Sequence, residues 1–215
     1  EPRAPEESAE PDAEESADIL LDVALNDPDL EVREQAVFWL SEVDDERSVD
    51  ALEGLLRDAP NGAIQEKAVF ALSQHDSDRA GVILRDVAAD RTRPATVREH
   101  AVFWLGQSDH DDAAEFLMGL YKRDDERAIR EKIIFSIAQL DADDERVSQF
   151  LVDIALDANE DLEMRKQALF WAGEEEQINV AELERFYTTV DDRELRQQVI
   201  FVPSQRDEDA AAAAL

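Results

Sequence analysis

Cysteine is absent from this chain of 215 residues, which excludes disulfide bonds and thiolate metal sites and leaves the redox compartment open. No run of eighteen apolar residues occurs, so no membrane-spanning helix is predicted. The sequence also lacks a basic segment followed by an apolar one, which is the pattern of a signal peptide. Glycine occurs only six times, and no glycine-rich phosphate loop, Ser-His-Asp set or Cys-His set is present.

Basic residues are few, because 22 Lys and Arg stand against 54 Asp and Glu, for a net charge of −32. Like-charge repulsion makes nucleic acids and anionic membranes poor partners for such a chain. Two explanations of the charge remain open: a surface adapted to salt or to solubility, and the steering of a basic partner. A high net charge destabilises the compact state unless salt screens it, which favours the first explanation.

One short phrase, Ala-Val-Phe-Trp-Leu or a close variant, recurs at nearly constant spacing. Its central residue is Phe38, Phe70, Phe103, Phe135, Phe170 and Phe201, at spacings of 32, 33, 32, 35 and 31 residues. A fixed period of this length is typical of stacked-repeat proteins, in which each unit buries its apolar face only against its neighbours. The period therefore predicts one continuous helical solenoid.

Each repeat is predicted to contain two helices. In the first repeat, apolar residues at positions 19, 20, 23 and 24 form a helical stripe, and Pro28 interrupts it. First helices are predicted near residues 18–26, 48–58, 77–89, 110–122, 144–157 and 177–189. Second helices are predicted near residues 30–42, 62–74, 94–107, 125–140, 160–173 and 191–202. Asp, Asn and Ser in the turns are expected to cap the helix that follows them.

The two ends of the chain differ from the repeats. Residues 1–17 are rich in Glu, Pro, Ala and Ser without apolar periodicity, which predicts a disordered acidic linker. The repeat domain is expected to span residues 18–205, with Pro203 ending or kinking its last helix. Residues 206–215 are expected to be an artificial extension or a truncated repeat. Glu1 in place of an initiating Met, together with the acidic linker, favours a location outside the cytoplasm over a cytoplasmic one.

Residues 26–36, Asn-Asp-Pro-Asp-Leu-Glu-Val-Arg-Glu-Gln-Ala, resemble a HEAT repeat of the short kind found in bilin-lyase-like proteins. The arginines that match the pattern are Arg33, Arg98, Arg130, Arg165 and Arg196, and Gln65 stands at this position in the second repeat. The resemblance covers residues 18–205. It implies an all-α fold, a right-handed α-solenoid of about six helix pairs in the armadillo/HEAT class, whose second helices line a concave face. Acidic neighbours predict that the arginines form ion-pair ladders between repeats.

The second helices carry one Phe each on the side away from the expected core. In the first repeat, one stripe contains Val32, Ala36, Trp39, Leu40 and Val43, and Phe38 lies roughly opposite. Two interpretations stay open: neighbouring helices bury the rings while Gln and Glu one turn later form a hydrogen-bond ladder, or the rings line a groove that binds a peptide or a helix. Trp in alternate repeats is interpreted as large–small packing.

The sequence contains little that would support a catalytic or metal site. Deoxyhypusine hydroxylases, which are repeat proteins of this fold, hold two irons with repeated His-Glu pairs, and here one adjacent pair, Glu99 and His100, occurs in reversed order. The acidic turns lack the spacing of calcium loops. A bilin-lyase-like enzyme stays a remote alternative. The chain is therefore expected to be no enzyme and to need no metal or cofactor.

The function predicted from the sequence is that of a monomeric, non-catalytic scaffold that binds a protein or a peptide on its concave face. The expected anchors and backbone-binding amides are Phe38, Phe70, Phe103, Phe135, Phe170, Gln74, Gln107 and Gln139. The alternative is a regulatory or assembly subunit that engages a basic partner through its acidic surface. Neither nucleic acid nor membrane insertion is expected. The two functions predict different salt dependences of binding. Contacts between exposed charges weaken steeply with ionic strength, whereas apolar contacts change little.

Overall fold

The computed structural model describes residues 13–43, 45–75, 77–108, 112–140, 145–174, 186–188, 190 and 192–205. Eleven α-helices and no strand are assigned in these ranges. The first helices of the pairs are α1 (Ala13–Asn26), α3 (Glu46–Asp58), α5 (Asp78–Ala89), α7 (Ala113–Arg123) and α9 (Glu145–Leu156). The second helices are α2 (Leu30–Ser41), α4 (Gly62–Ser73), α6 (Ala95–Leu105), α8 (Arg127–Ile137), α10 (Leu162–Glu174) and α11 (Arg193–Gln205). The predicted α-solenoid of consecutive helix pairs is confirmed.

The first and the last helix extend beyond their predicted bounds. The first helix begins at Ala13, five residues before the expected start, because Ala and Glu at positions 13–15 are good helix formers. The last helix continues through Pro203 to Gln205, since a proline in the final turn removes only one backbone hydrogen bond. Most of the helix expected at 177–189, and residues 1–12 and 206–215, lie outside the described residues.

Packing divides the chain into two compact units, Glu1–Ala101 and Val102–Leu215. In the first unit α1 packs on α3 and α2 packs on α4, while in the second unit α10 packs on both α8 and α11. Helices of the same kind therefore stack on one another, which is how successive repeats bury their apolar faces. Fully buried side chains include Leu52 and Leu72 in the first unit and Ile133 and Leu169 in the second.

Polar residues in the turns cap the helices as expected. In each case a side-chain oxygen accepts a hydrogen bond from the backbone N–H two residues later, which supplies a partner for one of the free donors of the first turn. The capping residues are Asp29, Asp45, Asn61, Ser77, Asp161 and Asp192. These caps explain why the acidic turns mark the helix starts so closely in the sequence.

The recurring arginine joins the two helices of a repeat. Arg33, Arg98 and Arg165 each donate Nε–H to a carbonyl oxygen near the end of their own first helix. The acceptors are the carbonyl oxygens of Ala24, Ala88 and Ala155, at 2.8, 3.0 and 3.0 Å. In the second repeat Gln65 Nε2 donates to the carbonyl oxygen of Ala59 at 2.9 Å. The Nε–H groups of these three arginines therefore cap the ends of first helices, where a cation suits the negative end of the helix.

Arg130 does make an ion pair between repeats. Its guanidinium binds both carboxylate oxygens of Glu160 in the turn before α10 and lies 4.1 Å from the ring centroid of Tyr121. The Tyr121 hydroxyl donates to Glu160 at 3.1 Å. Tyr121 is buried, and burial raises the pKa of its hydroxyl well above the ordinary value. This cluster joins α7 and α8 to the turn before α10.

Candidate functional site

The five predicted anchors Phe38, Phe70, Phe103, Phe135 and Phe170 lie on five successive second helices and are called the aromatic ridge below. Phe38 and Phe170 are 45% and 38% exposed, and the other three rings are half-buried. The rings are therefore neither completely buried between helices nor fully exposed to solvent. Each ring is held by its neighbours and still presents an edge or a face to solvent.

In the second unit the ridge joins two tryptophans. The rings of Phe103 and Phe135 stack with centroids 6.1 Å apart and planes 15° apart. Trp104 meets Phe103 edge-on at 5.0 Å, and Trp171 meets Phe135 edge-on at 5.5 Å and Phe170 at 5.1 Å. These separations fall in the range favoured by aromatic pairs. The five rings form one connected surface across α6, α8 and α10, called the aromatic surface of the second unit below.

In the first unit the exposed aromatic pair is Phe38 and Trp39, whose rings meet edge-on at 5.5 Å. The prediction that Trp39 and Val32 belong to the core is wrong, because these side chains are 52% and 42% exposed. The buried stripe of α2 is Ala36, Val37 and Leu40. The sequence-based stripe was centred too far from Val37, and Trp39 therefore projects beyond its edge.

The three predicted glutamines are exposed and lie just after the second helices rather than on them. Gln74 Nε2 donates to Ser73 Oγ at 3.0 Å, and Gln107 Nε2 donates to the carbonyl oxygen of Gly106 at 3.4 Å. Across the described ranges no hydrogen bond joins Gln74, Gln107 and Gln139 to one another, so the hydrogen-bond ladder of the packing interpretation does not form between them.

Contacts between basic and acidic side chains run beside the ridge from one second helix to the next. Lys67 Nζ lies 3.9 Å from Glu34, and His100 Nε2 lies 3.9 Å from Glu66. Lys166 Nζ binds Glu194 at 2.9 Å, and this hydrogen bond, with that to Glu163, raises the pKa of Lys166. Each pair is a half-exposed contact of small energy.

The charge of the second helices differs from that of the chain. Together α2, α4, α6, α8, α10 and α11 contain ten basic and eight acidic residues, a net charge of +2, whereas the whole chain carries −32. The negative charge therefore resides in the first helices, the turns and the chain ends. The aromatic ridge lies on the least acidic part of the protein.

The described part of the chain contains neither a metal-binding cluster nor a helix that could span a membrane. No group of three or more His, Asp or Glu side chains there is placed to hold a metal ion. No helix in those ranges is both long and apolar enough to cross a bilayer.

Solved structures of several other proteins resemble this chain. Human deoxyhypusine hydroxylase in complex with glycerol matches with a TM-score of 0.53 and 21% sequence identity, over 94% of this chain and 77% of that one. An engineered protein matches at 0.43 and 17%, over 95% of this chain and 98% of that one. The complex of CpcE and CpcF of phycocyanin lyase from Nostoc sp. PCC7120 matches at 0.41 and 16%, over 100% of this chain and 96% of that one. No curated protein sequence matches.

The prediction that this chain is no enzyme, which was made from its lack of catalytic residue sets, is contradicted by the comparison of folds. Human deoxyhypusine hydroxylase, an enzyme, shares that fold at a TM-score of 0.53. At 21% identity the likeness concerns the fold alone, and a helical-repeat fold carries both catalytic and binding proteins.

Family membership follows from the repeats themselves. The helix pairs, the capped acidic turns and the recurring arginine are found in both compact units. A sequence profile of HEAT repeats matches residues 17–96 and 91–172, which is more than half of the chain. This chain therefore belongs to the HEAT-repeat family.

Proposed function

We propose that this HEAT-repeat chain binds a protein or peptide partner on the face formed by its second helices. The observation that carries the proposal is the aromatic surface of the second unit, in which five rings are connected and none is fully buried. Contiguous apolar surface on a folded protein typically marks an interaction site. Aromatic anchors of this kind carry much of the binding energy at interfaces.

The partner would contact rings and amides together. Apolar side chains of the partner pack on Phe103, Phe135 and Phe170, which already have their orientation set by edge-on contacts with tryptophans. Rings held in this way lose little conformational entropy on binding. Gln107 and Gln139 are exposed at the ends of α6 and α8 and would exchange hydrogen bonds with the backbone of an extended segment.

The alternative, a basic partner on the acidic surface, has less support in the first helices. Glu46, Asp50 and Glu53 form a carboxylate row along α3, but Arg79 of α5 contacts all three. The hydrogen bond to Asp50, foremost, raises the pKa of Arg79. A basic partner would have to displace this arginine before it could use the row.

A random dodecamer peptide library displayed on phage, panned on the purified protein, tests the proposal. We expect enriched peptides that bind wild type and lose about tenfold or more in affinity with Phe170→Ser. Val82→Ser is the matched control, since Val82 is 48% exposed on the first helix α5, and we expect its affinity within about twofold of wild type.

Two results would contradict the proposal. One is that no peptide is enriched, and the other is that Phe170→Ser binds as well as wild type. Salt separates the alternative function, because binding through rings should change little between about 50 and 500 mM NaCl, whereas binding between exposed charges should weaken steeply.

A further inference from the structure

Lys132 of α8 lies over the aromatic surface of the second unit. Its Nζ is 5.8 Å from the ring centroid of Phe103 and 5.5 Å from that of Phe135, within the range of cation–π attraction. Lys67 and Lys166, the other lysines of the second helices, each bind a carboxylate. Lys132 makes no ion pair with any residue in the described ranges.

The neighbouring charges on α8 are already paired. Glu131 accepts a hydrogen bond from Arg127 Nε at 2.7 Å, and Arg130 binds Glu160. Among the basic residues of α8, Lys132 is therefore the one whose charge is not matched by a carboxylate of the described residues, and α8 contains two other basic residues and one acidic residue. In a chain with 54 acidic residues, a lysine that lies over an aromatic surface and binds no carboxylate of the described residues indicates a position that a ligand completes.

We propose that Lys132 binds a carboxylate of the partner, so that the aromatic surface of the second unit takes a peptide segment in which Asp or Glu adjoins an apolar side chain. This inference rests on the proposed function and names the chemistry of its partner. The apolar side chain would pack on Phe103, Phe135 or Trp171 while the carboxylate accepts a charge-assisted hydrogen bond from Lys132 Nζ.

The arrangement also selects against other ligands. A lysine or arginine of a partner placed over the same rings would meet the like charge of Lys132 at close range. A segment with many acidic residues would be repelled by the net charge of −32. The segment that fits therefore has one or two carboxylates among apolar residues.

The same dodecamer library, panned on charge variants, tests the inference. Lys122 supplies the matched control, since its Nζ lies 5.9 Å from the ring centroid of Phe150, away from the ridge on α7, and it makes no ion pair with the described residues. We expect wild type and Lys122→Glu to enrich Asp or Glu next to Phe, Trp or Leu. Lys132→Glu should instead enrich Lys or Arg at that place.

A double-mutant binding cycle with one enriched peptide measures how strongly Lys132 and the carboxylate of the peptide are coupled. Replacing its Asp or Glu by Asn or Gln should weaken binding to wild type about fivefold to tenfold, and should change binding to Lys132→Gln by less than about twofold. Lys132→Gln keeps the length of the stem and introduces no negative charge, so it remains informative if Lys132→Glu folds poorly.

The outcomes separate the two proposals. Enriched peptides that depend on Phe170 but show no carboxylate preference, or the same preference with Lys132→Glu, would overturn the role of Lys132 and leave the binding face standing. An absence of enriched peptides on wild type would overturn both. A carboxylate preference that Lys132→Glu reverses and Lys122→Glu retains supports both.

Discussion

At the scale of the residue, the position that joins the two helices of a repeat requires a donor rather than a charge. Arg33, Arg98 and Arg165 donate Nε–H to a carbonyl oxygen at the end of the first helix. Gln65 makes the equivalent bond with a neutral amide. The second repeat can therefore depart from the arginine pattern without leaving a helix end unsatisfied.

The buried hydroxyl of Tyr121 predicts a pH dependence of stability that can be tested. Burial raises the pKa of its hydroxyl above the ordinary 10.0, so above that pH the folded protein holds a proton that the unfolded chain has lost. Stability is present below the unfolded pKa and falls as pH rises toward the folded pKa. Tyr121→Phe removes this dependence. We expect it to lose about 1 kcal/mol at neutral pH, from the hydrogen bond to Glu160, and to show a shallower fall above about pH 10.

Urea unfolding at a series of pH values between about 7 and 11 measures both effects. Tyr187→Phe is the control, because Tyr187 is exposed and should show the slope of wild type. If Tyr121→Phe and wild type lose stability in parallel above pH 10, the buried hydroxyl does not cause the alkaline loss.

At the scale of the element, local sequence determines where each helix begins and ends, but it does not determine which side of the helix is buried. Period and capping residues placed nearly every described helix within a few residues, because both act within one or two turns. The face of α2 was misjudged at Val32 and Trp39, since which side of a helix is covered depends on what packs against it. The contact between α6 and α8 likewise depends on which residues pack against each other, and no local pattern predicts it.

Gly106, which follows α6, allows that contact. A Cβ added there would lie 2.6 Å from both Cβ and the carbonyl oxygen of Ser136, and 2.9 Å from its Cα. Because backbone atoms of α8 cannot move aside cheaply, we expect Gly106→Ala to lower the free energy of unfolding by about 1–3 kcal/mol. Gly119→Ala should instead stabilise by about 0.5–1 kcal/mol, since nothing lies within 4 Å of its added Cβ in α7.

Chemical unfolding of the two variants beside wild type checks this prediction. The opposite signs make the pair its own control, because both add one methyl group to a glycine of the second unit. A Gly106→Ala protein as stable as wild type would show that α6 and α8 can separate without loss.

At the scale of the whole molecule, charge is unevenly distributed. The second helices carry +2 in a chain of −32, so repulsion is concentrated outside the aromatic ridge. We expect the Tm to rise with NaCl from about 10 to 150 mM, over which the Debye length falls from about 30 to 8 Å. For this size each 1 kcal/mol gained corresponds to about 2–4 °C.

Thermal unfolding in NaCl and KCl, with sucrose at equal osmolarity, measures the effect. The two salts should act alike and sucrose should produce a smaller rise at these concentrations, because screening depends on ionic strength alone. A Tm that stays constant up to 150 mM salt would mean that the negative charges are spaced too far apart to repel one another appreciably.

The sequence by itself determined the helix pairs, their turns, the family resemblance and the positions of the ridge. These depend on periodicity and capping, which are properties of neighbouring residues. Only the tertiary structure decided that Phe103 stacks on Phe135, that Trp39 faces solvent and that Lys132 lies over Phe103 without binding a carboxylate of the described residues. These features depend on how side chains of different helices pack together, and no local pattern contains them.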